Sequence, residues 1–533
     1  MTAPDASRAI CWRSPAAHPL PWLLALAAAH VALRVAVSSG VKWDEAEQVL
    51  WSQQLQWGYG VQPPLYTWLQ WTVNQALGPS VLALSVLKHA LLALTYALMW
   101  LAGRELLGSR RGAWLAAASL LLLPPLAWDS VRDRTHTVLV TATVCAAWWL
   151  LLRIVRRPRQ ADFVWLGLAC GLGMLSKYSF ALVAGAMLLA ALSVPQARRA
   201  LLARGWWWTP VVGALVVLPH LAWLAPHLQE ATAGTVKRMQ IQPEGQHPGL
   251  GLYGLLKVYV GMLVLWALVA LWAFRAGWRR APAAAEGEAT AWARRVLWRY
   301  LALVTLALLG MVLVVGVTRF EEHWVIPLLC VAPLAAFATR PQLQNDAAGA
   351  RRFTGVVMLA ALLMLAGAWG RVWYAGWHGK DELNHPVAAL GVALRDAGYD
   401  GRGRIIASDH MLAAMLRTRF PRAPAAACMF MGRQVTDCVA ANIEQARRAG
   451  IGWLLVSRDD RIEPGWWLSK KQKVQTGAAR MPAWWDEARA ALSAAPTQAM
   501  RVIELPFRMV RDGTPPARYR YIWQPPAQEA APS

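Results

Sequence analysis

Long apolar runs alternate with short polar segments over roughly the first 375 residues of the chain. An α-helix needs about 17–25 residues to cross the ~30 Å hydrocarbon layer of a bilayer, and most of these runs have that length. The pattern predicts eleven membrane spans, at 18–39, 79–102, 112–128, 135–152, 162–176, 179–194, 206–226, 251–274, 298–317, 324–339 and 353–373. Arg8 and Arg13 precede the first span as in a signal peptide. Since ten further spans follow, we interpret it as an uncleaved signal anchor.

Composition supports a membrane protein. Of the 533 residues, 57% are hydrophobic, only 16% are charged and 32 are tryptophan. Soluble domains contain about 25% charged residues, and Trp is favoured at the membrane–water boundary. The net charge of +24 comes largely from arginines clustered between apolar runs, which is how polytopic proteins orient themselves. We therefore do not expect nucleic acid as a partner.

The distribution of basic residues predicts the orientation. Nineteen Lys and Arg residues lie in the loops 103–111, 153–161, 195–205, 275–299 and 340–352. The loops on the opposite side of the membrane contain about seven. Cytoplasmic loops hold the positive excess, so the amino terminus is predicted to be cytoplasmic. With eleven spans, the carboxy-terminal segment is then predicted to lie outside the cytoplasm, in a multi-pass membrane protein.

The segment 375–533 differs in character from residues 1–374, and we predict that it is a separate domain. RIIASDHMLAAMLRTRF predicts a strand and a helix, GIGWLLVSRD a second buried strand, and RVIELPFRMV with RYRYIWQPP a closing β pair. The predicted fold is thus a polytopic α-helical membrane domain, 1–374, followed by a soluble α/β domain. Cys428 and Cys438 could form a disulfide if this domain is exported.

The first outer loop contains Asp44, Glu45 and Glu47 directly after the first span. Helical periodicity over residues 44–57 predicts an amphipathic helix lying on the membrane surface, with Asp44 and Glu47 on one face. The prolines of VQPPLYTW then turn the chain. The acids could also serve only to solvate the loop or to favour a helix amino terminus.

Ionisable residues occur in several other outer segments. Such groups are costly at membrane depth and by default indicate a functional site. They could converge on one external cavity, and they are Asp129, Arg132, Asp133, Arg134, His136, Lys177, Arg238, Arg319, Glu321, Glu322 and His323.

Three segments of the chain resemble a known family: WDEAEQVLWSQQLQWGYGVQPPLYTWL, GLACGLGMLSKYSFALV and EEHWVIPL. They look like the bacterial polytopic GT-C glycosyltransferases, which include the aminoarabinose transferases that modify lipid A and relatives of the protein O-mannosyltransferases. The resemblance covers about residues 20–340. It implies a hexosyl or pentosyl transfer from a polyprenyl-phosphate donor to lipid A, another glycan or a protein on the outer face, usually with inversion.

The same resemblance assigns residues. Asp44 matches the family's first-loop catalytic acid, Glu45 is its neighbour, and Asp133 matches the second acidic position. Lys177 matches the lysine of the G-L-x-x-L-(S/T)-K-Y segment, and the pair His323 and Trp324 matches an H-W pair of many relatives. The chain departs from the pattern before the two prolines, where Gln62 stands in place of a basic residue, and its RDRTH segment is more charged than usual.

These residue types suit a glycosyl transfer. Asp44 is the candidate general base that accepts the proton of the acceptor as it attacks the anomeric carbon. Glu47 and His136 are further site candidates. A hard divalent metal between Asp44, Asp133 and the phosphate is compatible with oxygen ligands. The donor phosphate needs cations, and the predicted set is Lys177, Arg132, Arg134, Arg238 and Arg319.

Structural roles remain alternatives for these residues. Lys177 could snorkel from a helix end, Arg132 and Asp133 could form an ion pair, and the histidines could be structural. For the whole chain, the alternatives are a flippase or transporter of lipid-linked sugars, or a non-catalytic scaffold. Transporters often contain inverted repeats, but the WDEAEQ…QPPL block has no second copy. We therefore favour an enzyme.

Overall fold

A computed structural model describes residues 19–239, 248–278, 284–377, 382–429, 434–458, 484–492, 498–510, 513 and 515–526. Most of them are helical. The α-helices are α1 Pro19–Val37, α2 Trp43–Trp51, α3 Leu65–Leu77, α4 Val81–Leu107, α5 Arg110–Ser119, α6 Ser130–Asp133, α7 His136–Arg156, α8 Gln160–Ser176, α9 Phe180–Leu192, α10 Pro195–Leu201, α11 Trp208–Leu224, α12 Leu228–Met239, α13 Pro248–Ala273, α14 Arg275–Trp278, α15 Ala284–Leu313, α16 Glu322–Leu329, α17 Ala332–Thr339, α18 Ala347–Trp377, α19 Val387–Asp396, α20 His410–Arg419 and α21 Val435–Arg448. The strands are β1 Arg404–Ala407, β2 Ala425–Ala427, β3 Trp453–Arg458, β4 Arg501–Leu505 and β5 Ala517–Gln524.

The apolar runs form helices long enough to span a membrane, as predicted. Within the described ranges, eight helices have the required length and hydropathy, and ten spans result if two bent pairs each count as one. The bends are 73° between Arg110–Leu122 and Pro125–Asp133, and 112° between Phe180–Leu192 and Pro195–Leu201. Prolines lie at both breaks, where they remove a backbone donor. The one predicted span that is missing from these ten is 162–176. It corresponds to α8, which has 17 residues.

Helix α8 packs closely on α11 because glycines line the contact. A Cβ added at Gly167 would lie 2.6 Å from the carbonyl oxygen of Thr209, and one at Gly171 would lie 2.7 Å from Val216. Small residues of this kind let two helix backbones approach within a membrane. The contact fixes the end of α8, after which Lys177 follows.

The carboxy-terminal strands form one mixed sheet in the order β2-β1-β3-β5-β4. Strand β1 is parallel to both β2 and β3, whereas β5 is antiparallel to β3 and β4. The predicted α/β character is therefore confirmed, including the strand–helix unit β1–α20, the buried strand β3 and the β4–β5 pair. Strand β2, with the sequence AAA, carries no strand signal and was not predicted.

Two cores cover the faces of this sheet. One contains Ile405, Leu412, Leu454 and Tyr519, and the other contains Ile406 and Trp484. The second core also includes Cys428, which forms a disulfide with Cys438. The sequence allowed this disulfide if the domain is exported, and the structure contains it.

The chain divides into two compact units that differ from the predicted domains 1–374 and 375–533. The first unit comprises 1–30, 56–66 and 88–365, and the second comprises 31–55, 67–87 and 366–533. The first outer loop, as far as Leu55, therefore belongs to the unit that contains the carboxy-terminal sheet.

Candidate functional site

Asp44 lies half-buried in the first turn of α2, and the acid that follows it in the sequence is buried. The next residue, Glu45, is 1% exposed, and its Oε2 accepts hydrogen bonds from the backbone N–H of Lys42 (3.0 Å) and from Nη2 of Arg34 (2.8 Å). Arg34 also donates to the carbonyl oxygens of Ser38 and Gly40. Glu45 thus caps α2 and fastens its first turn to the end of α1.

The apolar face of α2 contacts protein. Val49 and Ala46 are buried in a cluster with Met411, Ala414 and Met415, of which the last three belong to α20. The prediction of a helix at 44–57 on the membrane surface was wrong in both its extent and its partner. An amphipathic face has the same pattern whether lipid or protein covers it, so the sequence did not distinguish the two.

Polar contacts fix the rest of the loop within the second unit. Nε1 of Trp43 donates to Oε1 of Glu47 at 2.9 Å. The buried Gln48 accepts a hydrogen bond from Oγ1 of Thr67 at 3.0 Å, which joins α2 to α3. Asp44 is half-buried at the start of α2, and these contacts hold the residues around it in place.

In the first unit, Lys177 stands at the junction of three helices. It directly follows α8, and its Nζ donates to Oγ1 of Thr137 in the first turn of α7 at 2.9 Å. Nδ1 of the buried His136 lies 3.2 Å from the carbonyl oxygen of Ser176. The structure therefore brings together Lys177 and His136, which are far apart in the sequence, and gives His136 a backbone contact that orients its ring.

The acidic segment before α7 consists of a short π-helix, Pro125–Asp129, and α6. Nη1 of Arg132 lies 3.5 Å from Oδ1 of Asp129, and its guanidinium lies 5.8 Å from the centre of the Trp128 ring. Asp133 ends α6 and, like Arg134, is half-buried. Arg132 thus forms an ion pair with Asp129, and the pair of Arg132 with Asp133 stays an alternative from the sequence.

Two further predicted segments meet at the end of α12. The backbone N–H of Arg319 donates to the carbonyl oxygen of Met239 at 3.3 Å, and its side chain forms an ion pair with Glu321 at 2.9 Å. The rings of His323 and Trp324 pack edge to face, with centroids 5.9 Å apart. Arg238 lies in the last turn of α12, but its side chain lies outside the described part of the chain.

An apolar cavity of about 590 Å³ lies between α8, α9 and α11. Its lining includes Met174, Phe180, Ala184 and Val217. Met174 and Phe180 are three positions before and after Lys177 in the sequence, and the lining is apolar like a lipid chain.

Aromatic residues beside Lys177 were not recognised from the sequence. The hydroxyl of Tyr178 lies 3.3 Å from Nε2 of His220, and Nδ1 of His220 lies 2.6 Å from the carbonyl oxygen of Trp57. Burial raises the pKa of Tyr178 to about 12, so its hydroxyl stays protonated. The second half of the first outer loop is thus bound to α11. A histidine inside an apolar span, as in VVLPHLAWL, was the available signal.

The second unit contains a buried polar network at the carboxyl ends of β1 and β3. Asp409 accepts from Nε of Arg458 at 3.0 Å, Nη1 of Arg458 lies 3.1 Å from Nε2 of His385, and Nδ1 of His385 lies 3.1 Å from the Tyr519 hydroxyl. Burial, followed by the positive charges of Arg458 and Lys42, lowers the pKa of His385 to about 3. The imidazole is therefore neutral and joins the strands without adding charge.

Within the described ranges, no three side chains of His, Cys, Asp or Glu are grouped so as to hold a metal ion. The compatibility of Asp44 and Asp133 with a divalent metal stays an expectation from the sequence, which does not itself predict a metal. Asp44, Glu45 and Glu47 lie in the second unit and the remaining predicted residues in the first, so the convergence of all of them on one cavity is also still a prediction.

Comparison with known proteins decides the family. Residues 61–223 match the family described as dolichyl-phosphate-mannose-protein mannosyltransferase. The chain is 33% identical over 417 residues to the lipopolysaccharide core galacturonosyltransferase RgtB of Rhizobium johnstonii, an alignment that covers 76% of this chain and 82% of RgtB. It is also 33% identical over 402 residues to RgtA of the same organism, named a lipopolysaccharide core galacturonosyltransferase too, with 74% and 79% covered. The chain belongs to the GT-C glycosyltransferases.

A solved GT-C structure shares the fold. ArnT from Cupriavidus metallidurans bound to undecaprenyl phosphate superposes with a TM-score of 0.57 at 14% sequence identity, and the match covers 96% of this chain and 99% of ArnT. Identity at this level shows the fold alone. As a GT-C member whose described residues include eight to ten apolar spans, the chain is a multi-pass membrane glycosyltransferase, and the expectation of an enzyme is confirmed.

Proposed function

We propose that this enzyme transfers a galacturonosyl residue from a polyprenyl-phosphate donor to the core or lipid A part of lipopolysaccharide. The observation that carries the proposal is the 33% identity to RgtB over 82% of that protein's length. RgtA supports the same sugar and acceptor class. A uronic acid adds a carboxylate to the donor phosphate, and the half-buried arginines of the first unit, Arg132, Arg134 and Arg319, are suited to a second negative group.

Three features support a lipid-linked donor. The apolar cavity between α8, α9 and α11 offers space for part of a prenyl chain. Lys177, in the segment between the cavity-lining residues Met174 and Phe180, is the proposed positive charge for the lipid phosphate. The similar fold of ArnT, which was solved with undecaprenyl phosphate, supports the same donor class.

The proposed reaction is a direct displacement. The acceptor hydroxyl oxygen forms a bond to C1 of the sugar while the bond from C1 to the phosphate oxygen breaks, which inverts C1. Asp44 takes the hydroxyl proton, and the polyprenyl phosphate leaves with both electrons of the broken bond. Lys177 balances the additional negative charge that develops on the phosphate. Asp133 is the proposed second acid, and Glu47, His323 and Trp324 stay candidates for contacts with substrate.

The reaction is proposed to occur on the periplasmic side of the inner membrane. The disulfide between Cys428 and Cys438 supports an exported carboxy-terminal domain, since disulfides persist in oxidising compartments. The arginine-rich loops between spans support the same orientation.

The test uses purified enzyme and radiolabelled polyprenyl phosphates that carry galacturonic acid, galactose, mannose or aminoarabinose, with core oligosaccharide linked to lipid A as acceptor. We expect transfer from the galacturonic acid donor only. Asp44→Asn should lower kcat at least a hundredfold, whereas Asp396→Asn, the matched control at the exposed end of α19, should leave it within twofold. Transfer of another sugar, or full activity of Asp44→Asn, would overturn the respective part of the proposal.

A further inference from the structure

The side chain of Gln53 pairs with the main chain of a strand that lies 372 positions later in the sequence. Its Nε2 donates to the carbonyl oxygen of Ala425 at 2.8 Å, and its Oε1 accepts from the N–H of Ala425 at 2.9 Å. The side-chain amide of Gln has N–H donors and a carbonyl oxygen acceptor next to each other, as a peptide group has a donor and an acceptor. Gln53 therefore contacts β2 as a neighbouring strand would.

The position of β2 explains the contact. Strand β2 is at the edge of the sheet and pairs with β1 on one side, through the register Ile405 with Ala425. An edge strand has main-chain donors and acceptors on its other side that need partners. Gln53 satisfies both groups of Ala425, and this contact belongs wholly to the second unit.

Gln53 also holds the end of α2. Its Nε2 lies 2.8 Å from the carbonyl oxygen of Leu50, in the last turn of that helix. Leu50 itself packs against two cores of the second unit, the one beneath the sheet and the one between α2 and α20. The helix that carries Asp44 is thus fixed at its end by hydrogen bonds to β2 and along its length by burial against α20.

We infer that the carboxy-terminal domain is a positioning element for catalysis, and that Gln53 is the positioning residue through which β2 sets the place of Asp44. The inference rests on the proposed function, because it assumes that Asp44 is the general base. A base must lie within hydrogen-bond reach of the proton it removes, and small displacements of a catalytic group have large effects on rate. The domain acts on kcat through α2 and has no reacting group of its own in this role.

The experiment compares Gln53→Ala with Gln54→Ala in the full-length enzyme. Gln54 is the same residue type at an exposed neighbouring position. We expect Gln53→Ala to lower kcat about tenfold, to leave the donor KM within twofold, and to speed hydrogen exchange of the amides of residues 44–52. Gln54→Ala should change none of these quantities. A Gln53→Ala enzyme with kcat within twofold of the parent would overturn the inference.

A second comparison separates positioning from general destabilisation. If Gln53 acts only through Asp44, then Gln53→Ala should leave the residual activity of the Asp44→Asn enzyme unchanged. If Gln53→Ala lowers that residual activity by the same factor as in the parent, Gln53 has only a structural role and the inference is wrong.

The two proposals fail in different ways. If the parent enzyme transfers no sugar, or if Asp44→Asn is fully active, the proposed function fails and the catalytic part of this inference falls with it. The exchange measurement would still report whether Gln53 holds α2. If the parent is active and Asp44→Asn is not, but Gln53→Ala behaves like Gln54→Ala, only the inference fails.

Discussion

Arg34 and Glu45 form a buried ion pair, with 2.8 Å between Nη2 and Oε2, directly beside the residue proposed as the general base. Their side chains are 14% and 1% exposed. Arg34 lies in the last turn of the first membrane helix, and Glu45 lies in the first turn of α2. The pair therefore fixes the first turn of α2 to the end of a membrane helix.

Removing one partner of this pair should destabilise the protein. Glu45→Gln leaves Arg34 without its carboxylate, and loss of one member of a buried pair costs about 3–5 kcal/mol. Thermal unfolding of the purified protein should show a clearly lower Tm for Glu45→Gln than for Glu47→Gln, whose parent residue is half-buried. Equal Tm values for the two variants would contradict the structural role of Glu45.

Lys177 should be needed for the departure of the donor phosphate. Lys177→Met removes the charge and should lower kcat/KM for the donor by about 10²–10³, as loss of a group that stabilises developing charge does. Lys177→Arg should retain part of the activity, because it keeps the charge with a different geometry. Thr137→Val removes only the hydroxyl that Lys177 contacts, and a loss below tenfold is expected. Unchanged kinetics of Lys177→Met would exclude it from the donor site.

The apolar cavity between α8, α9 and α11 predicts a steric effect on donor binding. Ala184→Trp places a large ring in the cavity, because Ala184 lines it, and should raise the KM of a long-chain polyprenyl donor at least tenfold. Gly185→Trp is the control, since a Cβ added at Gly185 meets no atom within 4 Å. Steady-state kinetics with long and short prenyl donors tests the prediction. An equal effect of both substitutions would mean that the cavity does not hold the donor.

The disulfide should stabilise the carboxy-terminal domain. Closing a loop of this length contributes about 2–3 kcal/mol in the chain-entropy account. Cys428→Ser with Cys438→Ser should lower the Tm of the domain, and it should abolish the mobility difference between reduced and non-reduced samples of protein from whole cells. A protein whose two cysteines are alkylated without prior reduction would argue against export of this domain.

The neutral His385 predicts an acid-sensitive domain. Its pKa is about 3 in the folded state and about 6.5 when unfolded, so the unfolded chain takes up the proton more readily. Its contribution to stability is complete above about pH 6.5. That contribution falls by about 1.4 kcal/mol per pH unit between pH 6 and pH 3. Unfolding of the domain at several pH values should show this slope, and His385→Gln should flatten it. An unchanged slope in the variant would assign the acid sensitivity to other groups.

The sequence predicted those parts of the fold that lipid and local pattern dictate. Apolar runs must become helices in a bilayer because their backbone groups have to be satisfied internally. The short buried runs of β1 and β3 and the more alternating patterns of β4 and β5 suffice to define strands. Strand β2 is three alanines, and it exists only because β1 pairs with it. No local rule predicts such a strand.

The contacts of the candidate site residues could not be predicted from the sequence. The resemblance proposes Asp44, Asp133 and Lys177 as site residues, whereas the contacts of Glu45 and Gln53 depend on partners that lie elsewhere in the chain. The hydrogen bond from Lys177 to Thr137 spans forty positions, and the pair of Gln53 with Ala425 spans 372. Single-sequence reasoning has no access to such long-range contacts.

The long separation between Gln53 and Ala425 also sets an order of events during synthesis. Gln53 leaves the ribosome before its partner strand, because Ala425 is made 372 residues later. At about 5–20 residues per second, this interval lasts roughly 20–75 s. During that time the acidic loop has neither β2 nor α20 to pack against. A partly synthesised chain can therefore insert its membrane helices before the contacts that hold α2 exist, so the proposed base would be positioned only after the sheet domain has been translated.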